Sequence, residues 1–174
     1  MLLKEAVSLI QSDEIIQPEP TVWADLGCGS GLFTRALAGL LAEESIIYAV
    51  DKNLSALKID SVPEKIIIKM RQQNFDEGPL DLANLNGILM ANSFHYIRNK
   101  ISFIKKTLSS FNGKPAFLIV EYDHDTPNPW VPYPLSFLSL KEFFTEQGFK
   151  VIKKLNEKKS LYNSGKLYSA FIAL

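Results

Sequence analysis

This sequence has no excess charge of either sign: 19 lysines and arginines stand against 19 aspartates and glutamates. Such a balance gives no electrostatic footprint for a nucleic acid or an anionic membrane, though it leaves room for a local basic patch. Cysteine is nearly missing too. The single thiol, Cys28, excludes an internal disulfide and fits a reducing compartment. No apolar run is long enough to span a bilayer. The N-terminal MLLKEAVSLIQ is interrupted by Lys4 and Glu5, so it lacks the continuous core of a signal peptide, and a cytoplasmic protein is expected. Repeats and low-complexity tracts are absent, and nothing marks a second domain. One domain over residues 1–174 is expected, with a helix and linker in 1–20 and the core in 21–174. At 47% hydrophobic residues the chain can bury a sizeable core.

What the chain does have is concentrated in Thr21 to Leu41, TVWADLGCGSGLFTRALAGLL. Thr21, Val22, Trp23, Ala24 and Leu26 make a short apolar strand with one acidic break, Asp25. Gly27, Gly29 and Gly31 then alternate with Cys28 and Ser30. Glycine reaches positive φ without a Cβ penalty and lets a ligand approach the backbone. Leu32, Phe33, Ala36, Leu37, Leu40 and Leu41 recur at helical spacing, which predicts a helix with one buried face. A strand feeding a helix through such a turn presents free N–H groups to a ligand.

The string D-L-G-C-G-S-G resembles the first motif of the class I S-adenosylmethionine-dependent methyltransferases, an acidic residue followed by G-x-G-x-G. It differs from the dinucleotide fingerprint G-x-G-x-x-G. The resemblance runs from about Thr21 to the end of the chain. It implies an α/β fold: a Rossmann-like, doubly wound, mostly parallel seven-stranded sheet with an antiparallel last strand and helices on both faces. It implies S-adenosyl-L-methionine as cofactor. The implied contacts are Asp25 and the turn Gly27, Cys28, Gly29 and Gly31; then Asp51, which ends the apolar strand Ile46–Val50, on the ribose hydroxyls, with Lys52 beside it; then Asp76 on the adenine amino group, with Asn74 and Phe75 beside it. Asp25, Asp51 and Asp76 would each sit at the tip of a parallel strand and grip the adenosyl group from three directions. Plainer roles stay open. Asp51 or Asn53 can cap a helix over Leu54 to Lys58, Phe75 can be a core aromatic, and Asp76 a turn residue before Gly78-Pro79.

Further along, Ile66 to Met70 reads as a buried third strand, and Leu80 to Leu85 as a short helix or turn. Gly87 to Ala91 reads as the central fourth strand, running into Asn92-Ser93-Phe94-His95-Tyr96. In a doubly wound sheet the crevice lies beyond the carboxyl ends of such strands. Ala91, Asn92, His95 and Tyr96 are therefore expected to flank the methyl group. The segment lacks the Asn/Asp-Pro-Pro-aromatic signature of enzymes that methylate amino groups on DNA bases. His95 is the candidate general base, needed only for an acceptor that arrives protonated, and it can equally order the loop or touch the cofactor.

A helix over Asn99 to Leu108 and a fifth strand, Ala116 to Tyr122, precede a proline-rich stretch, Asp123 to Ser139. Trp130, Tyr133 and Phe137 make that stretch apolar enough to fold back, as a cover over substrate bound by Trp130 and Tyr133 or as a separate apolar cluster. Glu121, Asp123 and Asp125 read as solvated charges and no metal site is expected; Cys28 reads as a small filler. Leu140 to Gln147 predicts a helix, and strands from Phe149 and over Leu167 to Leu174 flank a turn at Asn163-Ser164-Gly165. Only residues 1–20 precede the first strand, whereas many family members roof the acceptor pocket with a longer extension. The proline-aromatic loop is the roof, or the pocket is open, or a second subunit closes it. The resemblance implies a methyltransferase for a small organic acceptor, working as monomer or homodimer without nucleic acid or membrane. Alternatives are an enzyme acting on protein or RNA, and a non-catalytic cofactor-binding module.

Overall fold

The computed structural model describes residues 1–60, 62–159 and 165–174. Seven strands form one sheet: β1 (Val22–Leu26), β2 (Ile46–Asp51), β3 (Ile67–Gln72), β4 (Gly87–Ala91), β5 (Ala116–Tyr122), β6 (Val151–Lys159) and β7 (Lys166–Ala173). Their order across the sheet is β3-β2-β1-β4-β5-β7-β6. β7 pairs antiparallel with both β5 and β6, while the pairings among β1 to β5 are all parallel. The chain winds outward from β1 in one direction and, after β4, in the other. The crevice of such a sheet opens beyond the carboxyl ends of β1 and β4.

Alternation along the strands supplies both faces. Trp23, Leu89, Leu118 and Val120 join Ala6, Leu9 and Ile10 of α1 (Leu3–Ile10) and Phe33, Ala36 and Leu37 of α2 (Leu32–Ala38) in one apolar cluster. Ala24, Ile88, Met90, Phe117 and Ile119 join Phe103 and Ile104 of α3 (Lys100–Thr107) and Leu140 and Phe144 of α4 (Phe137–Glu146) in the other. Period-two side chains covered on both sides are what central parallel strands require.

Several local expectations are corrected. β3 is not buried. It is the edge strand, covered on few sides, with Ile67 47% and Met70 58% exposed. Leu54 to Lys58 is a turn and not a helix; Asn53 accepts the Ser55 N–H at 2.9 Å, and the Lys58 N–H bonds Ser30 O at 3.2 Å. So short a segment forms too few helical bonds to offset nucleation, and it braces the glycine turn instead. α2 stops at Ala38, before Leu40 and Leu41. α4 starts at Phe137, earlier than the periodicity indicates, because the Ser136 side chain accepts the Ser139 N–H. Residues 80–85 carry no helix. In the expected turn, Asn163 and Ser164 lie outside the described residues.

Gly87 opens β4 directly beside Trp23 of β1. A Cβ there would lie 2.3 Å from the indole ring. Both residues sit inside the sheet, so neither can retreat into solvent. Gly87→Ala is expected to destabilise the fold by about 1–3 kcal/mol. A melting experiment should show it as a fall in Tm of roughly 3–10 °C; a variant melting with the wild type would mean that the indole yields freely.

Candidate functional site

The glycine turn between β1 and α2 is fixed by backbone bonds. Gly27 and Cys28 both donate to Val50 O, at 2.8 and 3.1 Å, and Gly31 donates to Cys28 O at 2.8 Å. Gly27, Gly29 and Gly31 have φ of 84°, 50° and 79°, the left-handed region that glycine enters without strain. A Cβ on Gly27 would sit 2.5 Å from Ser93 Cβ and 3.6 Å from the Phe75 ring. The turn, the end of β4 and the segment after β3 therefore meet at one place. A Cβ on Gly29 would meet nothing within 4 Å, so the turn is open to a ligand there.

Asp51 ends β2 against this turn. Its carboxylate accepts the Gly29 N–H at 2.9 Å and the Asn53 N–H at 3.1 Å. A carboxylate offers about four acceptor positions, so capacity remains for a diol. Lys52 beside it is exposed, and its carbonyl accepts from Gln72 at 3.2 Å. Phe75 packs edge-on to Phe103, ring centroids 6.3 Å apart, while reaching toward Gly27. Asn74 is half-buried and accepts the Asp76 N–H at 3.3 Å. Asp76 itself is exposed, and its carbonyl accepts from Lys106 at 2.8 Å.

Asp25 departs from the expected trio of strand-tip acids. It lies within β1, opposite Ala49 and Leu89, and is 0% exposed. One carboxylate oxygen accepts from Thr34 Oγ1 of α2 at 2.6 Å; the other, Oδ1, has no partner. Its place between Ala24 and Leu26 turns it to the α2 face, under the turn. Burial pushes its carboxyl up to about 7, the Thr34 bond opposing this and the Asp51 charge adding to it. Burial, then the charges of Asp25 and Asp51, push the Cys28 thiol up to about 12. A thiol so placed stays protonated and inert at neutral pH.

Beyond β4 and β5 a cavity of about 580 Å³ is lined by Asn92, His95, Tyr96, Tyr122, Asn128, Trp130 and Val131. Ala91, half-buried, ends β4, and Asn92 follows at φ 54° with its N–H bonded to Val120 O at 2.8 Å. His95 lies on a single 3-10 turn (Phe94–Tyr96) and is only 3% exposed. Its Nδ1 lies 2.6 Å from Glu121 Oε2, and its backbone N–H donates to Glu121 Oε1 at 3.0 Å. Glu121, penultimate in β5, is thus no solvated charge; it is 2% exposed. A carboxylate accepting from Nδ1–H fixes the tautomer and leaves the lone pair on Nε2. That Nε2 is enclosed and has no partner among the described residues. Tyr96 covers the ring at a centroid distance of 4.3 Å.

The proline-rich loop forms part of this wall. Val131 is buried in it, while Trp130 is 77% exposed at the rim. Tyr133, expected to touch substrate, is not in the wall. Its N–H donates to His95 O at 3.0 Å, and its carbonyl accepts from Lys100 Nζ at 2.8 Å. Lys100 also donates to Ile97 O at 2.9 Å, so it straps the loop to the 3-10 turn. Burial pulls its ammonium down to about 8, against the charges of Glu121 and Asp76. Asp123 and Asp125 close the same loop, accepting the Phe137 and Ser136 N–H groups at 2.8 Å each. The sequence does hold one cue to Glu121: it ends an apolar strand much as Asp51 ends β2.

This strand order, with its one reversed strand and a glycine turn facing the crevice, defines a Rossmann-like fold of the methyltransferase type. A methyltransferase domain family model matches residues 24–108. Among solved structures, a SAM-dependent methyltransferase from Aquifex aeolicus superposes at TM-score 0.65 and 12% identity, covering 99% of this chain and 98% of that one. A 1,6-didemethyltoxoflavin-N1-methyltransferase from Burkholderia thailandensis superposes at 0.67 and 14%, covering 98% and 77%. An arsenic(III) S-adenosylmethionine methyltransferase from Chlamydomonas reinhardtii does so at 0.67 and 15%, covering 99% and 72%. No curated protein matches the sequence itself. The chain shares the fold of these S-adenosylmethionine-dependent methyltransferases, and its residues 24–108 match the methyltransferase domain model.

Proposed function

We propose that this enzyme methylates a small organic acceptor held in the cavity beside His95. The observation that carries the reading is the position of that cavity. It opens at the carboxyl ends of β4 and β5, next to the segment that meets the glycine turn through Ser93 and Gly27. When bound, S-adenosylmethionine supplies a methyl group on a sulfonium sulfur. The residues present suit it: an open Gly29 backbone, an acid with spare acceptor positions at Asp51, and an aromatic at Phe75.

In this reading Gly27, Cys28, Gly29 and Gly31 offer backbone to the cofactor, and Asp51 accepts from its ribose hydroxyls. Asn74, Phe75 and Asp76 border the adenine, with Lys52 at the rim, and Ala91 and Asn92 flank the reacting carbon. Asp25 acts indirectly, tying β1 to α2 through Thr34. His95 takes a proton at Nε2, and Glu121 holds its ring in register. Tyr96 and Trp130 form an aromatic wall that positions the acceptor. The balanced charge supports a small-molecule acceptor over a nucleic acid, and the lone buried thiol is in keeping with a reducing cytoplasm. No helix among the described residues is long and apolar enough to cross a membrane.

Calorimetry with S-adenosylmethionine, followed by label transfer from its methyl group to a panel of small acceptors, tests this. Asp51→Ala should weaken cofactor binding by roughly 10- to 100-fold, the equivalent of lost charge-assisted hydrogen bonds. Absence of binding heat in the wild type, or of transfer to any small acceptor, would defeat the proposal.

A further inference from the structure

We infer that the cavity selects an uncharged aromatic acceptor carrying two hydrogen-bond donors on one ring, one of them the group to be methylated; this rests on the function proposed above. Two enclosed polar atoms carry the inference. His95 Nε2 and Asn92 Oδ1 are both buried without a partner, and both residues line the same cavity of about 580 Å³. Both atoms are acceptors. Glu121 occupies Nδ1, so Nε2 holds a lone pair; Oδ1 is a carbonyl oxygen. The His95 ring is pinned by Glu121 and covered by Tyr96. The Asn92 backbone is fixed at the cavity wall by its N–H bond to Val120 O.

Buried acceptors without donors disfavour the folded protein, and a ligand that brings a donor to each relieves both at once. Two donors fixed on one rigid ring do so with little loss of internal freedom. Tyr96, Tyr122 and Trp130 supply flat walls suited to a ring. Charge sets the last condition. Among the described residues no lysine or arginine lines the cavity. Lys100 is committed to Ile97 O and Tyr133 O, and the carboxylate behind His95 is Glu121. An anionic acceptor would therefore be desolvated with no counter-ion, next to a negative charge.

The chain has two histidines, so His124→Gln leaves His95 as its only imidazole. In that background, with ¹⁵N-labelled histidine and saturating S-adenosylhomocysteine, the protein is titrated with catechol, resorcinol, phenol and benzoate. The better-fitting diol should shift the His95 ring nitrogens and bind about tenfold more tightly than phenol, while benzoate should leave them unmoved. Asn92→Gly, which suits the positive φ and removes the amide, should bring the diol-to-phenol affinity ratio to about one. Equal binding of both diols and phenol, binding of benzoate as tight as that of the diols, no ring shift with any probe, or a diol preference surviving Asn92→Gly would overturn the inference. Calorimetry with S-adenosylhomocysteine on the same sample separates the failures. Cofactor-product binding without ring discrimination overturns the acceptor class alone; no cofactor-product binding overturns the proposed function as well.

Discussion

His95→Gln is expected to lower kcat for methyl transfer by about 10²- to 10⁴-fold, the range that a positioned general base contributes, while cofactor affinity stays at the wild-type value. The reason is geometric. The imidazole sits 3% exposed, with Nδ1 against Glu121 and the free lone pair on Nε2, in the wall of the cavity beyond β4 and β5. Glutamine keeps polar atoms there but offers no basic nitrogen. Glu121→Gln extends the test. An amide can donate to Nδ1, which moves the ring proton to Nε2 and presents the wrong tautomer to the acceptor. It should therefore lose kcat with little change in KM. Steady-state kinetics and cofactor calorimetry on both variants decide the matter. A His95→Gln enzyme with unchanged kcat would reduce the histidine to a brace for its loop.

The second large effect concerns stability. Burial holds the Asp25 carboxyl at about 7, against an ordinary value of 3.8. Between those values the native protein keeps a proton that the unfolded chain has released. Stability from this group is thus greatest below about pH 4, falls as pH rises toward 7, and is level above. The sign is opposite to that of a salt-bridged aspartate, whose folded value is depressed. Asp25→Asn removes the titration. It should match the wild type near pH 4 and exceed it by roughly 4 kcal/mol above pH 7. Urea denaturation of both proteins across that interval measures the difference curve, and a curve flat in pH would show that the acid titrates normally. A destabilised charge kept beneath the cofactor turn fits the general cost that functional sites impose on a fold.

Much of the region around the glycine turn was legible in the chain because its determinants are local. The apolar run into Gly27, the helix from Leu32 and the acid closing the second strand are each written in consecutive residues, and β1, α2 and Asp51 stand where that pattern puts them. The mostly parallel sheet with an antiparallel last strand was implied by the family resemblance and not by a local pattern, and β7 lies beside β5. The cavity beyond β4 and β5 was less legible. Glu121 looked like a solvated acid because nothing in its neighbourhood along the chain reveals that His95 reaches back to it. Tyr133 looked like a pocket residue by its aromaticity, but its backbone is what the loop uses. Asp25 looked like a strand-tip ligand because the motif names the residue and not the direction of its side chain; that direction belongs to the α2 face.

The sequence alone determined which segments become strands at the sheet's centre and where the backbone must bend through glycine. Periodicity and positive φ are properties of neighbouring residues, so no long-range partner is needed to express them. Tertiary structure alone decided the burial of Glu121, the orphaned acceptors of Asn92 and His95, and the edge position of β3. Those depend on which surfaces meet when distant strands pair, and burial, more than residue type, makes a carboxylate an orienting group and leaves a ring nitrogen waiting for a donor.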